Sequence, residues 1–450
     1  MATTELRAPT VTRRAVAPWV GLGAALVLVA AALAVPPLLD WDVRARLHGD
    51  RVLPPLHGFW DPGAGPGTVP AVVLALLAWR WAGSLSQRLP WRGLLATSYA
   101  AGLAWLLALA YVDGSSGISR VLGNDDEYLP TARATTDVTA MLREFVDRIP
   151  YAAPDNWPTH VAGHPPGALL VFVGLDRVGL GGDWAAGLVV TVVAASTAVA
   201  VLVCLRALGA EAAARTAAPY LVLAPAAVFM AVSADALFAA VAAWGLATLA
   251  LAATARGAGP VVCWSVPAGL LLGSAVLMSY GLVLLGLPAL AVLWLARSWR
   301  PLPVAAASAL AVVLAFALGG FALWEAYPVL NERYWDGIAA DRPAAYWLWG
   351  DLAALAICAG PLLGAGLAAL VTRVRETPRQ VVVLVTAFAV VVLVADLSRM
   401  SKAEVERIWL PFVPWLLLSV VALPERWRRP GLALQLVTAL VVQHLLYTSW

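Results

Sequence analysis

The chain has 450 residues, 61% of them apolar and only 13% charged, with a mean hydropathy of +0.80. Soluble chains are about half apolar and a quarter charged, so a soluble globule, a nucleic-acid binder and a disordered chain are all excluded. What remains is an all-α polytopic membrane protein, residues 1–450 forming a single integral membrane domain. The net charge of +3 carries information only once it is mapped onto sidedness.

Thirteen apolar runs predict transmembrane helices: 17–38, 68–83, 93–112, 184–205, 216–233, 236–254, 262–279, 281–297, 303–324, 346–372, 380–396, 408–423 and 431–448. A lipid-exposed backbone must satisfy its own hydrogen bonds, and none of the runs shows the alternation of barrel strands. Arg13 and Arg14 precede the first run as in a secretory signal, but the run is long for one and reads as an uncleaved span. With a cytoplasmic N-terminus, the inside loops hold 17 of the 30 basic residues and 4 of the 27 acids. The inside is then short and basic, as the positive-inside rule requires. The run 164–180 is interrupted by Asp176 and Arg177 and opened by Pro165 and Pro166. It reads as an amphipathic or re-entrant helix on the outer surface, because a crossing there would turn every later arginine cluster outward. Cys204, Cys263 and Cys358 all lie in apolar runs, and no disulfide framework is read from them.

Four outer segments carry the polar chemistry: 39–67, 113–183, 325–345 and 396–407. The first holds Asp40 and Asp42. The second, a large loop with juxtamembrane helices, holds the triplet Asp125-Asp126-Glu127. Three adjacent carboxylates repel one another. They need solvation, a basic neighbour or a cation, and they suit a general base or a divalent-cation site just above the membrane. No cofactor is otherwise implied. His160 and His164 have the i,i+4 spacing of a helical metal pair. Gly163 and Pro165 oppose a helix there, so a rigid turn that aims His164 is the better reading. Asp235, at the outer junction of two spans, is a functional candidate by its depth or an N-cap by its position.

Past that junction, 325–345 brings Arg342 and several aromatics, which fit an interfacial belt, a sugar-stacking surface or a prenyl grip. The last outer loop holds Arg399, Lys402 and Arg407. Lys402 is the only lysine in the chain. These bases form a cluster suited to a phosphate at the membrane surface, with Glu404 and Glu406 holding them in place.

This ordered set resembles the GT-C superfamily of membrane glycosyltransferases, in particular the bacterial relatives of the dolichyl-phosphate-mannose protein mannosyltransferases. The matching stretches are Asp126-Glu127, His164-Pro165-Pro166, Ser233-Ala234-Asp235-Ala236 and Gly269-Leu270-Leu271-Leu272-Gly273. The chain departs from the family at Gly167, where a Leu is usual, at Ser279-Tyr280, where a Lys often follows, and in placing two extra spans before the acidic pair. Those extra spans make Asp40 and Asp42 rivals for the catalytic acid. The resemblance implies inverting transfer of a sugar from a polyprenyl-phosphate donor to a hydroxyl acceptor (a glycan, lipid or protein) at the outer face of the plasma membrane. It implies Asp126 as base, Glu127 or Asp125 positioning the acceptor or a cation, and Arg399, Lys402 and Arg407 facing the leaving phosphate. His164, Asp235 and Arg342 are the further expected substrate-binding residues. A lipid or solute transporter is the rival class, but it needs polar residues inside the spans near midplane, and the runs here are almost free of charge.

Overall fold

The structure, a computed structural model, describes residues 10–46 and 52–448. Glu5 and Arg7, which count toward the basic side, and residues 47–51 of the first outer segment lie outside the described residues. Helix α1 (Thr10–Leu38) leads to strand β1 (Gly58–Trp60), then α2 (Thr68–Arg88) and α3 (Trp91–Ala110). Short helices follow, among them α4 (Tyr128–Ala134), α5 (Thr159–Gly163) and α6 (Pro166–Arg177). Next come α7 (Asp183–Ala194), α8 (Thr197–Ala207), α9 (Ala234–Thr254), α10 (Ala258–Val276) and α11 (Leu302–Gly319). The last part holds α12 (Leu323–Asp336), α13 (Ala344–Cys358), α14 (Leu362–Thr372), α15 (Arg379–Ser398), the single turn α16 (Val405–Ile408), α17 (Arg428–Leu445) and strand β2 (Leu446–Thr448).

Among the described residues, eight helices are long and apolar enough to cross a membrane, with α7 and α8 counted as one rod, Asp183–Ala207. A ninth exists if α13 and α14, which meet at 101°, form one broken span. Thirteen apolar runs therefore yield eight or nine such helices, and the shortfall has local causes. The run 216–233 carries Pro219 inside its helix and leaves helical structure before Pro225. The run 281–297 begins as a 3-10 turn, so its α-helix is only Gly286–Ala296. The run 408–423 is divided into Val413–Leu416 and a 3-10 stretch. The run 431–448 starts behind Arg428 and Arg429 and ends in a strand. The run 346–372 breaks at Gly360, whose φ of 83° lies in the left-handed region that glycine tolerates. There the Gln435 amide donates to the buried carbonyl of Ala359 at 2.6 Å. Helix α6 has 12 residues, too short to cross.

The alanine-rich α9 is the centre of the bundle, with 83% of its apolar window buried, whereas α11 at 6% is peripheral. What holds α11 is the Gly269-Leu-Leu-Leu-Gly273 stretch of α10. A Cβ at Gly269 would stand 2.1 Å from the Ala305 carbonyl oxygen, and one at Gly273 would stand 2.7 Å from that of Ala309. Small residues at this spacing let two helix backbones touch.

The bundle has two chemically different ends. At one, Arg215 donates to the carbonyls of Ser86 and Leu89, Gln380 donates to that of Leu208, and Tyr220 donates to that of Arg428. At the other, all four polar segments meet. Arg342 donates to the carbonyls of Arg44, Ala45 and Lys402, and Arg333 to those of Ile149 and Trp157. Strands β1 and β2 pair antiparallel there, Phe59 opposite Tyr447.

Gly269→Val should separate α10 from α11, with an overpacking cost of about 1–3 kcal/mol. The expected outcome is a thermal midpoint several degrees lower for the full chain in detergent, followed by tryptophan fluorescence. Gly259→Ala on the same helix, where a Cβ meets nothing within 4 Å, should leave the midpoint unchanged. Equal midpoints for the two variants would contradict this packing.

Candidate functional site

The polar end is organised around one buried guanidinium. Arg407 sits on α16, a single turn entered through a tightly wound segment. Arg399, Ala403 and Glu404 all have positive φ, between 59° and 67°. Non-glycine residues persist in that region only where their surroundings over-determine them. Here Arg342 binds the Lys402 carbonyl, Asp351 accepts from the Ala403 N–H at 3.0 Å, and the Tyr334 hydroxyl accepts from the Lys402 N–H at 3.0 Å. The winding turns Glu404, Glu406 and Arg407 inward together.

Arg407 Nη1 lies 2.9 Å from Asp235 Oδ2 and 4.0 Å from Glu127 Oε1, and Nη2 lies 3.3 Å from Glu404 Oε2. Two of these partners, Asp235 and Glu127, come from distant parts of the chain, and the third from the preceding turn. Asp235 is available because the preceding Ser233 is the N-cap of α9, its hydroxyl accepting from the Ala236 N–H at 3.2 Å. The cap and the ion pair are thus divided between two residues. Glu404 also meets Arg342 at 3.3 Å and His57 Nδ1 at 3.1 Å.

His160 completes the network. Its Nδ1 lies 2.6 Å from Glu127 Oε1, and its Nε2 lies 3.3 Å from Arg407 Nη2. A guanidinium only donates, so Nε2 accepts and the ring proton sits on Nδ1, facing the carboxylate. His164 follows α5 in extended conformation and precedes Pro166, which opens α6 at its first position. The turn drives His164 inward, where Nδ1 lies 2.8 Å from the Tyr128 hydroxyl and 2.9 Å from the His160 carbonyl.

The electrostatics follow from burial and partners. Burial pushes the Glu127 carboxyl up, but His160 and Arg407 more than offset it and hold it below the ordinary value. Glu404 is buried too, and His57, Arg342 and Arg407 hold it well below. Burial pushes His164 and His57 down. Glu406 goes the other way. It is fully buried, its Oε1 accepts the His57 backbone N–H at 2.8 Å, and among the described residues its Oε2 has no hydrogen-bond partner. Burial, with Glu404 adding to it, raises its pKa to about 7.

Each expected site residue has a definite place. Asp125 and Asp126 are exposed at the rim, whereas Glu127 is buried. Residue 127 is extended (φ −94°, ψ −175°), and successive side chains of an extended backbone point opposite ways. His164, Asp235, Arg342 and Arg407 are buried together with Glu127. Lys402 is buried apart from Arg407: its ammonium donates to the carbonyls of Ala339 and Arg342 and lies 4.6 Å from the Trp335 ring. Burial, then Arg342 and Arg399, push the pKa of Lys402 down. Arg399 is exposed. Asp40 is also exposed, and Asp42 bonds its neighbour Arg44. The contribution of their segment is His57, which no motif pointed to beyond its following Pro54-Pro55. Among the described residues, no three His, Cys, Asp or Glu side chains converge as metal ligands would. A small apolar crevice of about 30 Å3, lined by residues such as Gly102, Leu106, Met230, Val413 and Leu417, opens among the helices, and none of the residues of the Arg407 network line it.

No protein-family model matches the chain, and no curated protein matches it in sequence.

Glu406 and its acidic neighbours give opposite pH dependences. Glu127 and Glu404 add stability that is complete above their ordinary pKa and is lost as pH falls through their folded values. Glu406 keeps its proton in the fold up to about pH 7, against 4.5 ordinarily, so its burial becomes costly as pH rises through that window. Glu406→Gln should therefore stabilise the protein at pH 8 by up to about 3 kcal/mol and not at pH 4. Thermal midpoints at the two pH values test this, and an equal effect at both would contradict it.

Proposed function

We propose that this protein transfers a sugar from a polyprenyl-phosphate donor to a hydroxyl acceptor at the outer face of the plasma membrane, with inversion at the anomeric carbon. The observation that carries the reading is the division of the acidic pair: an exposed carboxylate, Asp126, beside a rigid buried one, Glu127, locked to His160 and Arg407. A general base needs access to its proton donor and a frame that does not move.

In this mechanism the acceptor hydroxyl passes its proton to Asp126 as its oxygen attacks the anomeric carbon. The bond from that carbon to the phosphate oxygen breaks, and polyprenyl phosphate leaves with the electron pair. Negative charge grows on the phosphate, and fixed positive groups stabilise it. Arg399 is the exposed base of the cluster and meets the phosphate directly. Arg342 and Lys402, anchored behind it on carbonyls, add a fixed field. The Arg407 charge is compensated by three carboxylates, so its part is to hold Glu127 and Asp235 in place.

The topology we propose has thirteen crossings, several of them broken or short, with outer-face juxtamembrane helices, a cytoplasmic N-terminus and the polar end outside. Its support is the gathering of segments. Residues 39–46, 52–67, Asp235, 325–345 and 396–407 share one end, and the basic loops share the other. The pairing of β2 with β1 joins the end of the last apolar run to the segment after the first, as an odd number of crossings requires. A transport path would need polar groups along the bundle, whereas the buried charges described above collect at one end.

Asp126→Asn keeps the size of an exposed side chain and an oxygen for its hydrogen bond, so folding should be unchanged. Turnover in membranes supplied with polyprenyl-phosphate sugars should fall by about 100-fold or more. Undiminished transfer would discard Asp126 as the base.

A further inference from the structure

The acidic pair is held by two consecutive residues at the start of α5. The Thr159 hydroxyl donates to Asp126 Oδ1 at 3.0 Å. The His160 backbone N–H donates to the Asp126 carbonyl at 3.1 Å, and the His160 ring holds Glu127 Oε1 at 2.6 Å. On the other side, Asn124 Oδ1 accepts the Asp126 N–H at 3.0 Å, so the backbone of residue 126 is fixed at both its N–H and its carbonyl. Only the carboxylate remains to be oriented, and Thr159 is the side chain that bonds it.

We propose that Thr159 is a positioning residue for the base: by bonding Oδ1 of Asp126 it fixes the plane of the carboxylate and presents Oδ2 to the acceptor hydroxyl. This rests on the reading of Asp126 given above. A carboxylate on a fixed backbone still turns about χ1 and χ2, and χ2 of Asp is a broad torsion. One hydrogen bond from a neighbouring helix removes that freedom without neutralising the charge. A hydrogen bond to a charged group contributes less at an exposed rim than in a shielded site. The effect expected on turnover is therefore modest. It falls on kcat, because the orientation matters only when the proton moves. Among the described residues the Thr159 side chain bonds Asp126 at the rim and not the Arg407 network, so its loss leaves the fold in place.

The test uses the full chain in nanodiscs with synthetic polyprenyl-phosphate mannose and polyprenyl-phosphate arabinose as donors. Released polyprenyl phosphate is measured by mass spectrometry. Thr159→Val, of nearly the same shape without the donor, should lower kcat about 5- to 10-fold, with KM for the donor and the thermal midpoint unchanged. Thr159→Ser, which restores the hydroxyl, should recover most of the rate. Full activity in Thr159→Val, or equal losses in the Val and Ser variants, would overturn the role of Thr159 while leaving the function intact, provided that Asp126→Asn is inactive in the same assay. An active Asp126→Asn overturns the choice of base and this role with it. A wild-type protein that releases polyprenyl phosphate from neither donor overturns the transferase reading itself.

Discussion

The charge on Arg407 sets the terms for everything at the polar end. A buried guanidinium is tolerated only when paired and hydrogen-bonded, and here the partners are Asp235 at the head of α9, Glu127 before α4 and Glu404 one turn away. Asp235 and Glu127 are remote from Arg407 in sequence. One cation therefore ties the central helix to two of the loops, and through the contacts of Glu404 with His57 and Arg342 it reaches the other two. Removing one partner of such a group leaves a buried uncompensated charge, at a cost of about 3–5 kcal/mol. The network is better understood as a device for holding one geometry than as a source of stability, because burying all of these ions is itself expensive.

That geometry separates two roles that the adjacent acids could not both play in one environment. Extended backbone at residue 127 sends Glu127 inward and leaves Asp126 at the rim. The inner acid meets His160 and Arg407, and the outer one meets solvent and Thr159. The same economy of placement appears at α9, where Ser233 caps the helix and leaves Asp235 to the arginine. It appears again at the His164-Pro165-Pro166 turn, where the second proline opens α6 and the extended residue before the pair is driven against Tyr128.

The helical membrane class was legible because composition alone decides it, and eight of the apolar runs became long apolar helices. Three of the others failed where prolines at 219, 225 and 414 or a glycine at 360 interrupted them, one opened as a 3-10 turn, and one began behind arginines and ended in a strand, features that hydropathy averages away. The short non-crossing helix at 166–177 was legible through its two prolines and its charges. Glu127, Asp235 and Arg407 were legible as polar residues in an apolar chain, but their mutual contact was not, since it depends on how distant segments meet. His57 gave no signal of its own. Lys402 stood out by rarity, yet its ammonium is bound by backbone carbonyls, a partner class that carries no mark in the sequence. The Gly269–Gly273 stretch was noticed as a motif, and its physical content is the contact of α10 with α11.

The most direct test of the central claim is hydrogen exchange of the Arg407→Gln protein in nanodiscs, followed by mass spectrometry of peptides. If one guanidinium unites the polar end, protection should fall together in 52–60, 124–134, 159–164 and 399–410. A change confined to 399–410, with the other three segments exchanging as in the unaltered protein, would contradict the account.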